Sequence, residues 1–149
     1  MSFPHAQGRA GDEATPAIHP GHRVIAMFPF CDEREKLSLL VQKIRPGLAD
    51  KWMPVDDGST DDGATLLRQH GIEPLTQPTR RGIGAAIKAV VRHARANGYD
   101  ILVVMAGNNK DDPGEIPRLL EPILEQGVDY VQGSRFLEGG SSPHLPVFR

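Results

Sequence analysis

Two adjacent carboxylates, Asp56 and Asp57, stand where an apolar run of the sequence stops. Gly58-Ser59-Thr60 follows, and then a second acidic pair, Asp61 and Asp62. Two like charges side by side are unfavourable unless a cation or hydrogen-bond donors meet them. This stretch could therefore hold the N–H and O–H groups of a ligand, or it could simply cap a helix, and its residues alone favour neither interpretation.

A pair of arginines, Arg80 and Arg81, precedes the glycine-rich turn Gly82-Ile83-Gly84 at the predicted start of a long helix. Glycines allow backbone amides to approach an anion closely, and the N-terminus of a helix favours negative charge. The turn is therefore a candidate phosphate or diphosphate site. The common alternative is a solvated arginine pair, because the glycine spacing alone is a weak signal.

Apolar runs and helical periodicity predict the elements that position these groups. Strands are expected at residues 23–28, 52–57, 72–76, 101–105 and 130–133, with Pro74 placing the third strand at an edge of the sheet. Helices are expected between them, and the second should start at Ser59 or Thr60. Strands that alternate with helices indicate an α/β fold with a mostly parallel sheet and helices on both faces.

Two of the predicted helices show clear apolar faces. On the helix after Gly82 the face comprises Ile83, Ile87, Val90, Val91 and Ala94. On the last helix, Asp112-Pro113-Gly114-Glu115 is a strong start signal. Its expected buried face comprises Ile116, Leu119, Leu120, Ile123 and Leu124.

Polar residues follow three of these strands, at Cys31–Glu33, Asp56–Asp57 and Asn108–Asp112. Ligands of open α/β sheets bind in the crevice at the carboxyl ends of the strands. Carboxylates there can accept hydrogen bonds from a base and a ribose, while arginines and a helix N-terminus hold a diphosphate. The sequence therefore predicts a nucleotide site at this edge.

Composition restricts the class of protein. The chain has 149 residues and a formal net charge of -2, which gives no basic footprint for nucleic acid. A single cysteine, Cys31, excludes an internal disulfide and indicates a reducing, cytoplasmic compartment. No apolar run reaches the roughly 18 residues of a membrane span. Residues 1–20 are expected to form a flexible tail, and residues 21–149 a single domain.

Four motifs in order resemble the family-2 glycosyltransferases of the GT-A fold, nearest to the dolichyl-phosphate mannose synthase-like branch. Residues 29–33, Pro-Phe-Cys-Asp-Glu, stand where that family has Pro-Ala-Tyr-Asn-Glu. Residues 55–61 match its Val-Asp-Asp-Gly-Ser-Thr-Asp, residues 81–86 resemble its Arg/Lys-Gly-x-Gly-x-Ala turn, and residues 133–135 its Gly-Ser-Arg. The resemblance covers roughly residues 22–136 and implies a Rossmann-like, nucleotide-sugar-binding domain.

The resemblance implies a UDP- or GDP-linked sugar donor and transfer of the sugar to an acceptor such as a polyprenyl phosphate or a glycan. The donor nucleotide would be bound by Pro29, Phe30, Cys31, Glu33, Asp56, Asp57 and Gly82, and the diphosphate by Arg80, Arg81 and Lys110. No residue is assigned as the catalytic base.

The metal motif of the family is changed in this chain. Its Asp-x-Asp falls on Ala106-Gly107-Asn108, which leaves Asn108 as the candidate ligand of Mg²⁺ or Mn²⁺. A divalent ion prefers hard anionic oxygens, so one amide oxygen predicts weak binding. Lys110 is expected to replace part of the ion's charge near the diphosphate. Asp111 and Asp112 are an alternative metal pair.

Family members continue past Gly-Ser-Arg into an acceptor-binding half, often with membrane helices. This chain is therefore expected to be the donor-binding half, cytoplasmic and membrane-associated in a longer parent protein, and its own turnover is in question. A second copy of the chain could cover an open sheet edge. The main alternative is a non-catalytic nucleotide-sugar-binding module. A response-regulator-like domain and a sugar nucleotidyltransferase fit the motifs less well.

Overall fold

The computed structural model describes residues 19–134, 136–138 and 140. It divides into two compact units, residues 1–114 and residues 115–149. Most of the predicted tail, residues 1–18, lies outside the described residues. At the start of the described chain, His19 and His22 form an isolated antiparallel bridge.

The first unit contains six short strands. They are β1 (Val24–Met27), β2 (Pro29–Phe30), β3 (Lys51–Trp52), β4 (Val55–Asp56), β5 (Leu75–Thr76) and β6 (Ile101–Val104). All their pairings are parallel, in the orders β3-β1-β6 and β2-β4-β5. β2 continues β1 past Phe28, and β4 continues β3 past Pro54. The strand predicted over 72–76 is confirmed at Leu75–Thr76, at a sheet edge.

Three helices of the first unit connect these strands. They are α1 (Arg34–Leu40), extended by a 3₁₀ turn at Val41–Lys43, α2 (Gly63–Gln69) and α3 (Ile83–Ala96). One face of the sheet packs on α3 through a core that includes Ile25, Met27 and Val55. On the other face, Phe30 of β2 and Leu37 of α1 lie against Gly63 at the start of α2. The predicted α/β fold, parallel with helices on both faces, is confirmed.

The predicted start of α2 is wrong, and the predicted apolar face of α3 is confirmed only in part. α2 begins at Gly63 rather than at Ser59 or Thr60: its N-cap is Asp62, whose carbonyl accepts the Leu66 N–H, and residues 59–61 form a loop that is hydrogen-bonded to Asp32. On α3 the buried residues are Ala86, Val90 and Ala94. Ile87 packs against the same core, so the predicted face is confirmed at Ile87, Val90 and Ala94, whereas Ile83 is 60% exposed and Val91 37% exposed.

The second unit contains α4 (Ile116–Gln126), which follows a 3₁₀ turn at Pro113–Glu115. Asp112 accepts the Gly114 N–H at 2.9 Å, in line with the predicted start signal. Of the five apolar residues expected to be buried, only Ile116 and Leu120 are. The fifth strand predicted at 130–133 is wrong: these residues are irregular, and Tyr130 is 76% exposed.

Candidate functional site

Loops gather at the carboxyl edge of the sheet in the first unit, as predicted. We call them the first loop (residues 31–33, after β2), the second loop (57–62, after β4), the arginine turn (78–82, after β5) and the fourth loop (105–112, after β6). Direct hydrogen bonds or close backbone contacts join the first loop to the second, the second to the arginine turn, and the fourth to the end of β2. The chain thus brings its predicted acidic and cationic groups to one edge.

Asp57 links the second loop to the arginine turn. Its Oδ1 accepts the Arg81 N–H at 2.7 Å, and its Oδ2 accepts the Gly82 N–H at 2.8 Å. The side chain is only 5% exposed. The two donors precede the first residue of α3, so the carboxylate also lies at the positive end of a helix dipole. The turn itself thus supplies donors for one of the two adjacent carboxylates, Asp57.

Asp56 is 4% exposed and lies on the other face of β4 from Asp57. Its Oδ1 accepts the N–H of Ser59 at 2.8 Å, which closes a tight turn at the start of the second loop. This bond uses one of the four lone-pair positions of a carboxylate.

Glycines allow two of these loops to approach other backbone segments. Gly58 has φ of 80°, and a Cβ placed there would lie 2.8 Å from the Arg80 nitrogen. A Cβ at Gly107 would collide with the carbonyl oxygen of Pro29. Neither position can carry a side chain without displacing backbone. The short spacing between the loops therefore depends on these two glycines.

Asp32 joins the first loop to the second. Its Oδ1 accepts hydrogen bonds from the N–H of Thr60 at 2.7 Å, from the hydroxyl of Thr60 at 3.0 Å and from the N–H of Asp61 at 3.2 Å. In return the Asp32 N–H donates to the Ser59 hydroxyl at 3.1 Å. The hydrogen bonds from Thr60, first from its N–H and then from its hydroxyl, lower the pKa of Asp32.

The other predicted residues of the first loop have less definite partners. The Cys31 thiol lies 3.8 Å from Asp32 Oδ2, and burial followed by the charge of Asp32 raises the pKa of the thiol. Cys31 is therefore a neutral thiol at pH 7. Glu33 forms an ion pair with Lys36 at 2.5 Å. Pro29 and Phe30 form β2, and Phe30 is buried.

Three exposed cations, Arg80, Arg81 and Lys110, come from two of the loops. Within the described part of the chain, none of the three has an acidic partner at ion-pair distance. Each long side chain can reach a ligand without breaking an existing contact. Such charges suit an anionic group at this edge.

The fourth loop contains the residues that would have to hold a divalent ion. Ala106 offers no ligand atom, and Asn108 Oδ1 accepts the Lys110 N–H at 3.2 Å. Asp111 Oδ2 accepts the Ala106 N–H at 2.7 Å. Within the described residues no cluster of three His, Cys, Asp or Glu side chains could hold a metal. Ala106 and Asn108 thus supply no carboxylate for Mg²⁺ or Mn²⁺, and the alternative pair, Asp111 and Asp112, each already accepts one backbone N–H.

Two residues of this edge were not among the predicted site residues. Asp32 gave no signal as the link between loops, because its partners lie about 28 positions away in sequence. Gln77 follows the edge strand β5, is only 7% exposed, and its Oε1 has no hydrogen-bond partner. A polar residue at the carboxyl end of a strand was the available signal for Gln77.

The second unit contains part of the last predicted motif. Gln132, Gly133, Ser134 and Phe136 line an open depression. Arg135, the third residue of the Gly-Ser-Arg motif, lies outside the described residues.

An all-parallel sheet with polar loops gathered at its carboxyl edge defines an α/β protein of the type that binds ligands there. The family model described as "Glycosyl transferase family 2" matches residues 34–147. The chain belongs to this glycosyltransferase family, which confirms the resemblance seen in its motifs.

Named relatives place the chain within the family. It is 29% identical over 153 residues to a polyprenol monophosphomannose synthase of Mycolicibacterium smegmatis, with 98% of this chain and 57% of the relative covered. It is 30% identical over 133 residues to an undecaprenyl-phosphate mannosyltransferase of Micrococcus luteus, with 85% and 54% covered. The chain thus spans about half the length of the curated relatives it matches.

Solved structures agree on the fold. The glucosyl-3-phosphoglycerate synthase of Mycobacterium tuberculosis superposes with a TM-score of 0.58 at 25% identity, over 72% of this chain and 42% of that one. That protein was crystallised with Mn²⁺, UDP and glucosyl-3-phosphoglycerate, and also with Mg²⁺ and UDP. Among the described residues of the present chain, no helix has both the length and the apolar character needed to cross a membrane.

Proposed function

We propose that this chain is the donor-binding part of a glycosyltransferase that takes a sugar from a UDP- or GDP-linked donor to a polyprenyl phosphate acceptor. The observation that carries the proposal is the arginine turn. Asp57 fixes its backbone, and it presents two exposed arginines and a helix N-terminus at the carboxyl edge of the sheet. Family membership and the names of the relatives support the reaction class and the acceptor.

The proposed contacts follow the chemistry of each loop. Arg80, Arg81 and Lys110 compensate the charge of the diphosphate. Asp56 accepts from the nucleoside through the lone pairs that Ser59 leaves free, beside the side chains of the first loop. Asp57 keeps two of its four lone-pair positions for the same purpose and acts mainly by fixing the turn.

We propose that the fixed cations supply the charge that a metal dyad would supply in relatives. Ala106 and Asn108 form no such dyad, and Lys110 is only two residues from Asn108. Asn108 remains the one proposed contact to any divalent ion at this position. No step of the reaction is assigned to a metal here.

Calorimetric titration with UDP and GDP tests the proposal directly. Replacing both arginines with glutamine, Arg80→Gln with Arg81→Gln, should weaken binding by about a hundredfold or more, because two charge-assisted contacts worth about 1.5–3 kcal/mol each are lost.

The matched control is Arg92→Gln with Arg95→Gln. Both of these arginines are exposed and lie at the far end of the same helix, about 15 Å away at 1.5 Å per residue. The control should bind as the wild type does. Equal weakening in the two double variants would show that only overall charge matters and would remove the diphosphate assignment.

A non-catalytic nucleotide-sugar-binding module is the second candidate, and the changed Asp-x-Asp favours it. A hydrolysis or transfer assay with the bound donor separates the two. Donor binding with neither hydrolysis nor transfer of the sugar would favour the module.

A further inference from the structure

Gln77 is an anomaly at the edge of the site. The side chain is only 7% exposed, yet its Oε1 has no hydrogen-bond partner among the described residues. Interchanging the oxygen and nitrogen of the carboxamide would only replace an unpaired acceptor with an unpaired donor. A buried acceptor without a partner destabilises the folded state, so this oxygen needs an explanation.

The register of the sheet fixes where Gln77 lies. Val55 is paired with Leu75, and both belong to the core that packs on α3. Side chains of a strand alternate between faces, so Asp57 and Gln77, each two residues further on, leave the sheet on this same face. The hydrogen bond from the Gln77 N–H to the Asp56 carbonyl, 2.8 Å, continues the ladder to this point. Gln77 therefore lies beside Asp57, at the arginine turn.

The chemistry of the side chain restricts what can complete it. A carboxamide offers one acceptor and one donor in a fixed plane. The oxygens of a diphosphate are acceptors only, so they cannot satisfy Oε1. A nucleobase carries an N–H and a C=O side by side in a plane, which matches the carboxamide in both polarity and geometry.

We propose that Gln77 reads the base of the nucleotide donor, by exchanging a pair of hydrogen bonds with the N–H and C=O edge of uracil or guanine. The inference rests on the proposed function, since it takes the ligand to be a nucleotide. It adds a residue that recognises the base, on the opposite side of Asp57 from the first loop. A bound base would supply the N–H that Oε1 lacks among the described residues.

Gln77→Met tests the inference, because methionine has nearly the same length without polar atoms. Two opposite effects are expected. The midpoint of urea unfolding of the free protein should rise, since an unpaired buried amide is removed. The affinity for the preferred nucleotide should fall about tenfold or more, and the preference among UDP, GDP, ADP and CDP should flatten.

Gln69→Met is the matched control, because Gln69 is an exposed residue at the end of α2. It should change neither the unfolding midpoint nor the binding. Gln77→Leu provides a second apolar variant in case Gln77→Met does not fold, and the same two effects are expected from it.

The outcomes separate the two proposals. If the wild type binds none of the four nucleotides, the proposed function fails. If the wild type binds but Gln77→Met keeps both affinity and preference, the base-reading role is overturned while the function stands. An equal loss of affinity for all four nucleotides would assign Gln77 to the ribose and would also overturn it. A lower unfolding midpoint in Gln77→Met would mean that the carboxamide is already satisfied in the free protein, and this too would overturn the inference.

Discussion

At the residue scale, the acidic side chains of the site differ sharply in what they do. Asp57 and Asp32 accept two and three hydrogen bonds from neighbouring loops, while Asp56 closes its own turn. Neighbouring carboxylates of the same motif thus have separate tasks. The repulsion expected between Asp56 and Asp57 is limited because they lie on opposite faces of β4 and each receives N–H donors.

Asp57→Asn should destabilise the protein and weaken nucleotide binding. An asparagine has one acceptor oxygen, so either the Arg81 or the Gly82 N–H would face an NH₂ group. The unsatisfied pair should lower the free energy of unfolding by about 1–3 kcal/mol, measured by urea titration.

Asp62→Asn is the control for this substitution, because Asp62 is exposed and makes no capping bond from its side chain. It should unfold as the wild type does. If Asp57→Asn unfolds no more easily than Asp62→Asn, the link between the second loop and the arginine turn contributes nothing to stability.

The depressed pKa of Asp32 predicts how stability depends on pH. Hydrogen bonds from Thr60 hold the pKa of the folded state below its usual value of about 3.9. The ionised carboxylate therefore stabilises the fold above the unfolded-state pKa, and this contribution is lost as the pH falls through the folded-state value.

Asp32→Asn isolates this charge, since all three loop contacts go to Oδ1, which asparagine retains. The urea midpoint of the wild type should exceed that of the variant by a constant amount above about pH 5, and the gap should shrink below about pH 4. A gap that widens in acid would contradict the assignment.

At the element scale, local patterns predicted the strands well and the loop contacts poorly. Continuous apolar runs identified β1, β4 and β6: β1 and β4 are buried along their whole length, and β6 is apolar throughout although Val104 is 44% exposed. The start of α2 at Gly63 was missed because residues 59–61 form a loop that is hydrogen-bonded to Asp32, and that contact joins residues about 28 positions apart in sequence. The strand expected at 130–133 fails for a related reason: its residues resemble a strand, but no strand of the described chain pairs with them.

The site likewise has features that the sequence predicts and features that it does not. Its acidic, cationic and glycine-rich segments could be predicted because each is contiguous in sequence. The pairing of Asp57 with the arginine turn, and the burial of Gln77, could not be predicted, because both depend on strand register.

The close approach of the second loop to the arginine turn can be tested at Gly58. Alanine there would combine the strain of φ at 80° with a Cβ 2.8 Å from the Arg80 nitrogen. Gly71→Ala is the matched control, because Gly71 has φ of 74° and no atom within 4 Å of an added Cβ.

Both variants should be destabilised by about 1–2 kcal/mol of left-handed backbone strain. Gly58→Ala should lose a further 1–3 kcal/mol or so from overpacking, measured as the difference in unfolding free energy. An equal loss of unfolding free energy in the two variants would show that the second loop and the arginine turn can move apart without cost.

At the scale of the whole molecule, charge is distributed unevenly. The net charge of the chain is only -2, yet residues 74–99 contain five Arg or Lys and no Asp or Glu. The first two of these cations, Arg80 and Arg81, lie in the arginine turn, and Lys110 joins them from the fourth loop. The acidic groups belong instead to the first, second and fourth loops. The molecule thus presents fixed positive charge where the altered motif Ala106-Gly107-Asn108 lacks the carboxylates for a metal.

This distribution predicts how donor binding responds to metal and to salt. Charges fixed on side chains are not removed by a chelator. Replacing Mn²⁺ with EDTA should therefore change the dissociation constant for UDP or GDP by less than about threefold, which corresponds to less free energy than one charge-assisted hydrogen bond.

Exposed cations are screened by salt, so raising NaCl from about 25 mM to about 500 mM should weaken binding by about tenfold or more. Lys110→Gln should reduce the salt dependence, whereas Lys43→Gln, outside the loops of the site, should leave it unchanged. Calorimetry on the wild type and both variants measures all of these effects. Binding that disappears in EDTA and returns with Mn²⁺ would show that Asn108 and its neighbours hold an ion after all, and that Lys110 does not replace it.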